Sequence, residues 1–193
     1  MPRSTLLAMV FIGAIAAGSL AFELRSQDPA ETRLLNPAPH QNRPAPRWEN
    51  QSWLNSATPL RLDDLRGRIV LLNFWVYTCY NCTNTVPSLV NFDRKYRDQG
   101  LTLIGIHTPE FPPYSGEHDK KNVARAVKQF GIEYPIAQDN DSKTWNLYGI
   151  RFWPSFVLID KKGVIRYEGA GEFHLNDGNY KIWEHRIQEL LAE

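Results

Sequence analysis

Cysteine is nearly absent from this chain of 193 residues: there are two, Cys79 and Cys82. A zinc site would need about four ligands. No second cysteine pair exists, and His107, His118, His174 and His185 do not stand at ligand spacing. No metal site and no cofactor is therefore expected. Methionine is equally scarce, with Met1 and Met9 alone, so the region beyond the first residues offers no thioether. Neither sign of charge is in excess. Lys plus Arg number 22 and Asp plus Glu 21, a formal net charge of +1 without a basic stripe, which removes the electrostatic support for nucleic-acid binding. Internal repeats are missing as well.

The two cysteines that are present carry the most information. They flank Tyr80-Asn81 and follow a strongly apolar run, Ile69-Val70-Leu71-Leu72-Asn73-Phe74-Trp75-Val76. The segment after them, 80–97, reads as a helix. A helix N-terminus stabilises an anion through its free backbone N–H groups and the positive end of its dipole. One of the thiols should therefore ionise more readily than a free cysteine, and the thiolate is the attacking species. A purely structural staple is a poor reading, because closing so short a loop removes little chain entropy. The pattern points to reversible electron exchange between dithiol and disulfide.

Arg3 and the terminal amine open the chain with positive charge, and residues 4–22 then carry none. This is the pattern of a secretory leader or a signal anchor whose positive side stays in the cytoplasm. Ser19-Leu20-Ala21 suits a signal peptidase, yet the uncharged stretch approaches the roughly 20 residues that span a bilayer. No cysteine lies near its end, so a lipid-anchored form is excluded. Residues 23–46 read as a linker rich in proline, with Pro29, Pro37, Pro39, Pro44 and Pro46. Residues 47–193 are expected to fold as one domain outside the cytoplasm, on the periplasmic side of a cell envelope.

Within that domain, 48–65 reads as an N-terminal hairpin. Residues 69–75 and 101–106 read as buried strands, since both are almost continuously apolar. Pro87 should kink the helix between them. After a loop with several prolines, Asp119 can cap a helix whose apolar positions Val123, Ala126, Val127 and Phe130 keep helical spacing up to Gly131. A short strand at 134–137 and a short helix at 142–148 follow. Residues 156–159 and 164–167 form a hairpin around Lys161-Lys162-Gly163, and Tyr180, Trp183, Ile187 and Leu190 line a terminal helix. Alternating strands and helices closed by a hairpin and a helix imply an α/β sandwich with a mixed sheet.

These segments resemble the thioredoxin fold, and more narrowly the membrane-tethered thioredoxin-like proteins of the TlpA/ResA type, in wording most like the C-terminal modules of DipZ-type proteins. The resemblance rests on Leu71-Leu72-Asn73-Phe74-Trp75 leading into Cys79-Tyr80-Asn81-Cys82, on Pro87, on 105–111 (Gly-Ile-His-Thr-Pro-Glu-Phe), and on 148–154 (Tyr-Gly-Ile-Arg-Phe-Trp-Pro). It implies a three-layer thioredoxin-like sandwich, a central mixed β-sheet flanked by helices with a central insertion. It also implies that Pro154 is a cis-proline facing the dithiol. Two departures stand out: Tyr80-Asn81 replaces the Gly-Pro of ordinary thioredoxins, and Asn73 replaces their buried Asp. Asn81 keeps a backbone N–H that a proline would lack.

The resemblance implies a thiol–disulfide oxidoreductase. Cys79, at the helix start, is expected to attack a partner disulfide, and Cys82 to resolve the mixed disulfide. Glu110, in the loop after the second strand, is the candidate to remove the Cys82 proton, with His107 as the alternative. Trp75, Trp153 and Pro154 are expected to form the apolar rim that receives an extended peptide. Envelope protein disulfides, apocytochrome c among them, are the implied partners, with electrons supplied by a membrane relay protein. Two other functions remain open. A peroxiredoxin-like peroxidase needs a hydroxyl residue three positions before its reactive cysteine, where Val76 stands. A copper chaperone would suit the soft thiolates but would need His107 or His174 as a further ligand.

Overall fold

The computed structural model describes residues 42–112 and 115–193. The leader expected at 1–22 and all but the last residues of the linker expected at 23–46 lie outside the described residues. Seven strands form: β1 (Arg43–Pro44), β2 (Trp53–Leu54), β3 (Ile69–Trp75), β4 (Leu101–His107), β5 (Ile136–Gln138), β6 (Ser155–Ile159) and β7 (Val164–Ala170). Four α-helices accompany them: α1 (Tyr80–Tyr96), α2 (Lys120–Gln129), α3 (Lys143–Tyr148) and α4 (Gly178–Ala192). All belong to one sheet and its two covering layers, in the strand order β1-β7-β6-β3-β4-β5-β2.

Every residue of β3 is buried, which explains why this central strand has no polar alternation. It runs parallel to β4 and antiparallel to β6. The register sets Trp75 opposite His107 and Phe74 opposite Ser155, so β3 and β4 end where β6 begins. The alternation of side chains along a strand then divides the core. Ile69, Leu71 and Trp75 pack with Leu89 and Phe92 of α1 and Ile187 of α4. Val70, Leu72 and Phe74 face the other way, towards Trp48, Trp53 and Tyr148.

The helix boundaries follow local chemistry. Asp119 caps α2 by accepting the N–H of Lys121 at 2.8 Å. The turn after α1 ends at Gly100 with φ of 115°, a conformation that favours glycine. Pro87 lies inside α1, and the helix runs unbroken through it.

The expected N-terminal hairpin does not form. β1 pairs with β7 and β2 pairs with β5, so the two opening strands occupy opposite edges of the sheet. An unpaired sheet edge offers a row of backbone donors and acceptors. The opening segment satisfies both edges, while its buried Trp48 and Trp53 cover the second face. Arg43 and Pro44, expected in the linker, are thereby part of the sheet. No helix among the described residues is long and apolar enough to cross a membrane.

Gly105 sits opposite Asn73 in the middle of this arrangement. A Cβ there would approach Trp75 Nε1 to 2.9 Å and press on the Ile136 side chain. Gly105→Ala is expected to destabilise the domain by about 1–3 kcal/mol through overpacking, measured as a lower midpoint in denaturant unfolding.

Candidate active site

Four residues, 76–79, carry the chain from the buried end of β3 to the start of α1. The Cys79 N–H donates to the Val76 carbonyl at 3.2 Å, which closes this turn. Cys79 is the N-cap of α1, with extended backbone, and its Sγ accepts the Cys82 N–H at 3.2 Å. The sulfur therefore occupies the place where a capping oxygen usually receives a free helix N–H. The donor is the amide of Cys82, not that of Asn81. Cys79 and Cys82 are joined in a disulfide with Cα atoms 5.3 Å apart. Cys79 is half-buried and Cys82 is 2% exposed, so the outer sulfur is reachable while the inner one is sealed.

Two buried polar side chains from the β4 side hold the turn. His107 accepts the Tyr77 N–H through Nε2 at 3.4 Å. Its ring stacks on Tyr77 with centroids 5.6 Å apart and meets Trp75 edge-on. Burial pushes the His107 imidazole down to about 3, so it is neutral at pH 7 and a weak proton acceptor there. It braces the core at the Tyr77 N–H, and no described hydrogen bond joins it to either cysteine.

The second is Glu117, which the sequence reading missed. It is fully buried, and its carboxylate accepts the Thr78 hydroxyl and the N–H groups of Glu110 and Phe111, the latter two at 2.8 Å each. Glu110 itself is exposed, and no described hydrogen bond joins its carboxylate to either cysteine. The backbone of Glu110, rather than its side chain, is what the site uses structurally.

The loop before β6 completes this end of the sheet. The Trp153–Pro154 peptide is cis, as the resemblance implied. Pro154 is buried, and its carbonyl accepts the Gly171 N–H at 2.9 Å. Trp153 is half-buried and stacks on Trp145 with ring centroids 4.0 Å apart. Its Nε1 donates to the Thr108 carbonyl, and the Thr108 hydroxyl donates to buried Asp139. Trp153 and Cys79 pack against the same core cluster that contains Cys82 and Trp75. Trp75 has no exposed surface and belongs to that core, not to a peptide-receiving rim. The exposed aromatics at this end are instead Tyr80 at 76%, Phe152 at 66% and Phe111 at 50%. Tyr80 between the cysteines and Phe152 beside Trp153-Pro154 were available as signals, since each adjoins a motif residue.

The AhpC/TSA family matches residues 42–168. Protein DipZ of Mycobacterium bovis is 42% identical over 143 residues, which cover 73% of this chain and 19% of DipZ. The chain thus spans about a fifth of the length of the DipZ proteins it matches. Thiol-disulfide oxidoreductase ResA of Geobacillus thermodenitrificans is 32% identical over 106 residues, 55% of this chain and 56% of ResA. A crystal structure of a thioredoxin-like superfamily protein matches with a TM-score of 0.70 at 25% identity, covering 78% of this chain and 97% of that one. The mixed seven-stranded sheet flanked by helices is a thioredoxin-like fold.

The neutral burial of His107 has a consequence for stability. Its folded value lies below the ordinary one of about 6.5, so below that pH the unfolded chain binds a proton that the folded chain refuses until about 3. Stability falls as pH drops through this window. Two pH units below 6.5 cost about 3 kcal/mol from this residue alone. Unfolding titrations across pH should show His107→Gln losing close to one proton from the wild-type slope; equal slopes would contradict neutral burial.

Proposed function

The chain belongs to the AhpC/TSA family, and we propose that it is a thiol–disulfide oxidoreductase that reduces protein disulfides on the outer side of a membrane. The observation that carries this reading is the pairing of Cys79, half-buried and N-capping α1, with Cys82 sealed directly beneath it. A pair so arranged gives one sulfur to the partner and keeps the other for resolution. The ResA relative, named a thiol-disulfide oxidoreductase, supports the same class.

In the reduced protein the Cys79 thiolate attacks one sulfur of a partner disulfide. A mixed disulfide forms, and the partner's other sulfur leaves as a thiolate. Cys82 then loses its proton and attacks the Cys79 sulfur. The Cys79–Cys82 bond forms, the mixed disulfide breaks, and the partner leaves as a dithiol. Two electrons pass to the partner, whose two thiols take up one proton released by Cys82 and one from solvent. The free N–H groups at the start of α1 favour the Cys79 thiolate. Glu110, exposed in the loop that leaves this end of β4, is the candidate to accept the Cys82 proton. Trp153 and Pro154, with the exposed Tyr80, Phe111 and Phe152, form the surface that meets an extended partner. A membrane protein bearing a dithiol returns the electrons. Apocytochrome c is a partner of suitable chemistry, because its two reduced cysteines must be free for haem attachment.

The outward location rests on the charge pattern of the first residues, Arg3 followed by an uncharged 4–22. The other functions find less support. Val76, buried, offers no hydroxyl three positions before Cys79. Of the histidines that a copper site would recruit, His107 is buried with its Nε2 taken by the Tyr77 N–H, and His174 pairs with Glu172 at 2.7 Å.

Cys82→Ser is expected to accumulate a partner in a mixed disulfide on Cys79 that a reducing agent releases. Cys79→Ser should trap nothing, and both variants should lose multiple turnover with a protein disulfide. The reading fails if the reduced wild-type protein exchanges electrons with no protein or small-molecule disulfide, or if Cys82 is alkylated before Cys79 near neutral pH.

A further inference from the structure

Glu117 lies in the insertion between β4 and α2, with no exposed surface. Burying a carboxylate is costly unless hydrogen bonds replace its water. Three donors do so here. Two are backbone N–H groups of the insertion itself, from Glu110 and Phe111, and the third is the hydroxyl of Thr78, the residue next to Cys79. Hydrogen bonds to a carboxylate are the stronger, charge-assisted kind. The rest of the turn is held more loosely, by the Cys79 N–H on Val76 at 3.2 Å and the Tyr77 N–H on His107 at 3.4 Å. Phe111, an exposed aromatic at the partner-facing end, hangs from the same carboxylate. One side chain thus joins the turn of the nucleophile to the surface that meets a partner.

We propose that Glu117 is a positioning residue for thiol exchange: its buried carboxylate locks the turn carrying Cys79 to the partner-facing insertion, and its negative charge opposes formation of the Cys79 thiolate. This rests on the reading of Cys79 as the attacking thiol. The same charge acts on the neighbouring Tyr77 side chain. The Tyr77 hydroxyl is held above its ordinary value first by burial and then by Glu117, with Asp119 adding to the effect and Arg125 opposing it. A like charge beside a thiolate acts in the same sense, against the pull of the α1 N-terminus. The sulfur sits between these two influences.

Glu117→Gln separates charge from shape. Its amide oxygen can accept the two backbone N–H groups while its NH2 donates to the Thr78 hydroxyl. Alkylation of the reduced protein, followed across pH, should then shift to lower pH, with the rate below the thiol midpoint rising roughly threefold or more. Glu117→Ala and Thr78→Val each cut the tether and should slow exchange with a protein disulfide, and the double variant should be no slower than the worse single one. An unmoved alkylation profile in Glu117→Gln, or losses that multiply in the double variant, overturns the proposal. If Glu117→Ala does not fold, Thr78→Ser against Thr78→Val decides: serine keeping the rate while valine loses it supports the tether, and equal rates refute it. Wild-type protein that exchanges with no disulfide would instead remove the underlying reading, so the two failures are told apart.

Discussion

Between the last buried residue of a central strand and the first turn of a helix, this chain has four residues, 76–79, in which to reverse direction and deliver a sulfur to the surface. The strand end is immovable, because Trp75 has no exposed surface and β3 is paired on both sides. The helix start is equally constrained, because α1 lays Leu89 and Phe92 into the same core. The junction satisfies both through its last residue, which caps the helix. Cys79 does so with a sulfur in place of an oxygen, and the N–H group that completes the cap thereby reaches a sulfur of the disulfide. Fold and chemistry share one hydrogen bond.

Buried polar groups cluster around that junction, and their types explain how it is kept in place. His107 works as a neutral acceptor, a role that burial enforces. Glu117 and Asp139 work as carboxylate acceptors for loop donors, Glu117 for Thr78, Glu110 and Phe111 and Asp139 for Thr108, Thr144 and Trp145. Each gathers segments distant in sequence at one end of the sheet, and irregular loops have no ladder to hold them otherwise. Apolar packing sets the depth of the dithiol, and these side-chain acceptors set the positions of the loops around it.

Much of this was legible in the chain. The runs at 69–75 and 101–106 read as buried strands because continuous apolarity has few other meanings, and both form. Asp119, Gly100 and Gly131 mark helix ends through local chemistry that acts within a few residues. The dithiol followed from the spacing and flanks of Cys79 and Cys82, and the cis Trp153–Pro154 bond from the resemblance to the thioredoxin fold. The opening segment was misread, because 48–65 contains two short apolar pieces that look like hairpin partners. Which sheet edge a two-residue strand joins depends on edges built much later in the chain. Trp75 looked like a rim residue by its nearness to Cys79, but strand alternation and the α1 packing turn it inward. Glu117 was invisible among Ser115, Gly116, His118 and Asp119, since a buried carboxylate bonded to backbone N–H groups leaves no mark in residue type.

Residue types and their spacing carry the short-range facts: two lone thiols separated by two residues, a strand before them, a helix after, and a proline before a later strand. Those depend on periodicity, caps and turn residues, whose physics is local. The assembled fold settles which sulfur is reachable, which aromatics face outward, and which buried acceptors hold the turn of Cys79. Those depend on the sheet register that sets Trp75 beside His107 and Phe74 beside Ser155, and burial is a property of the assembled layers rather than of any stretch of chain.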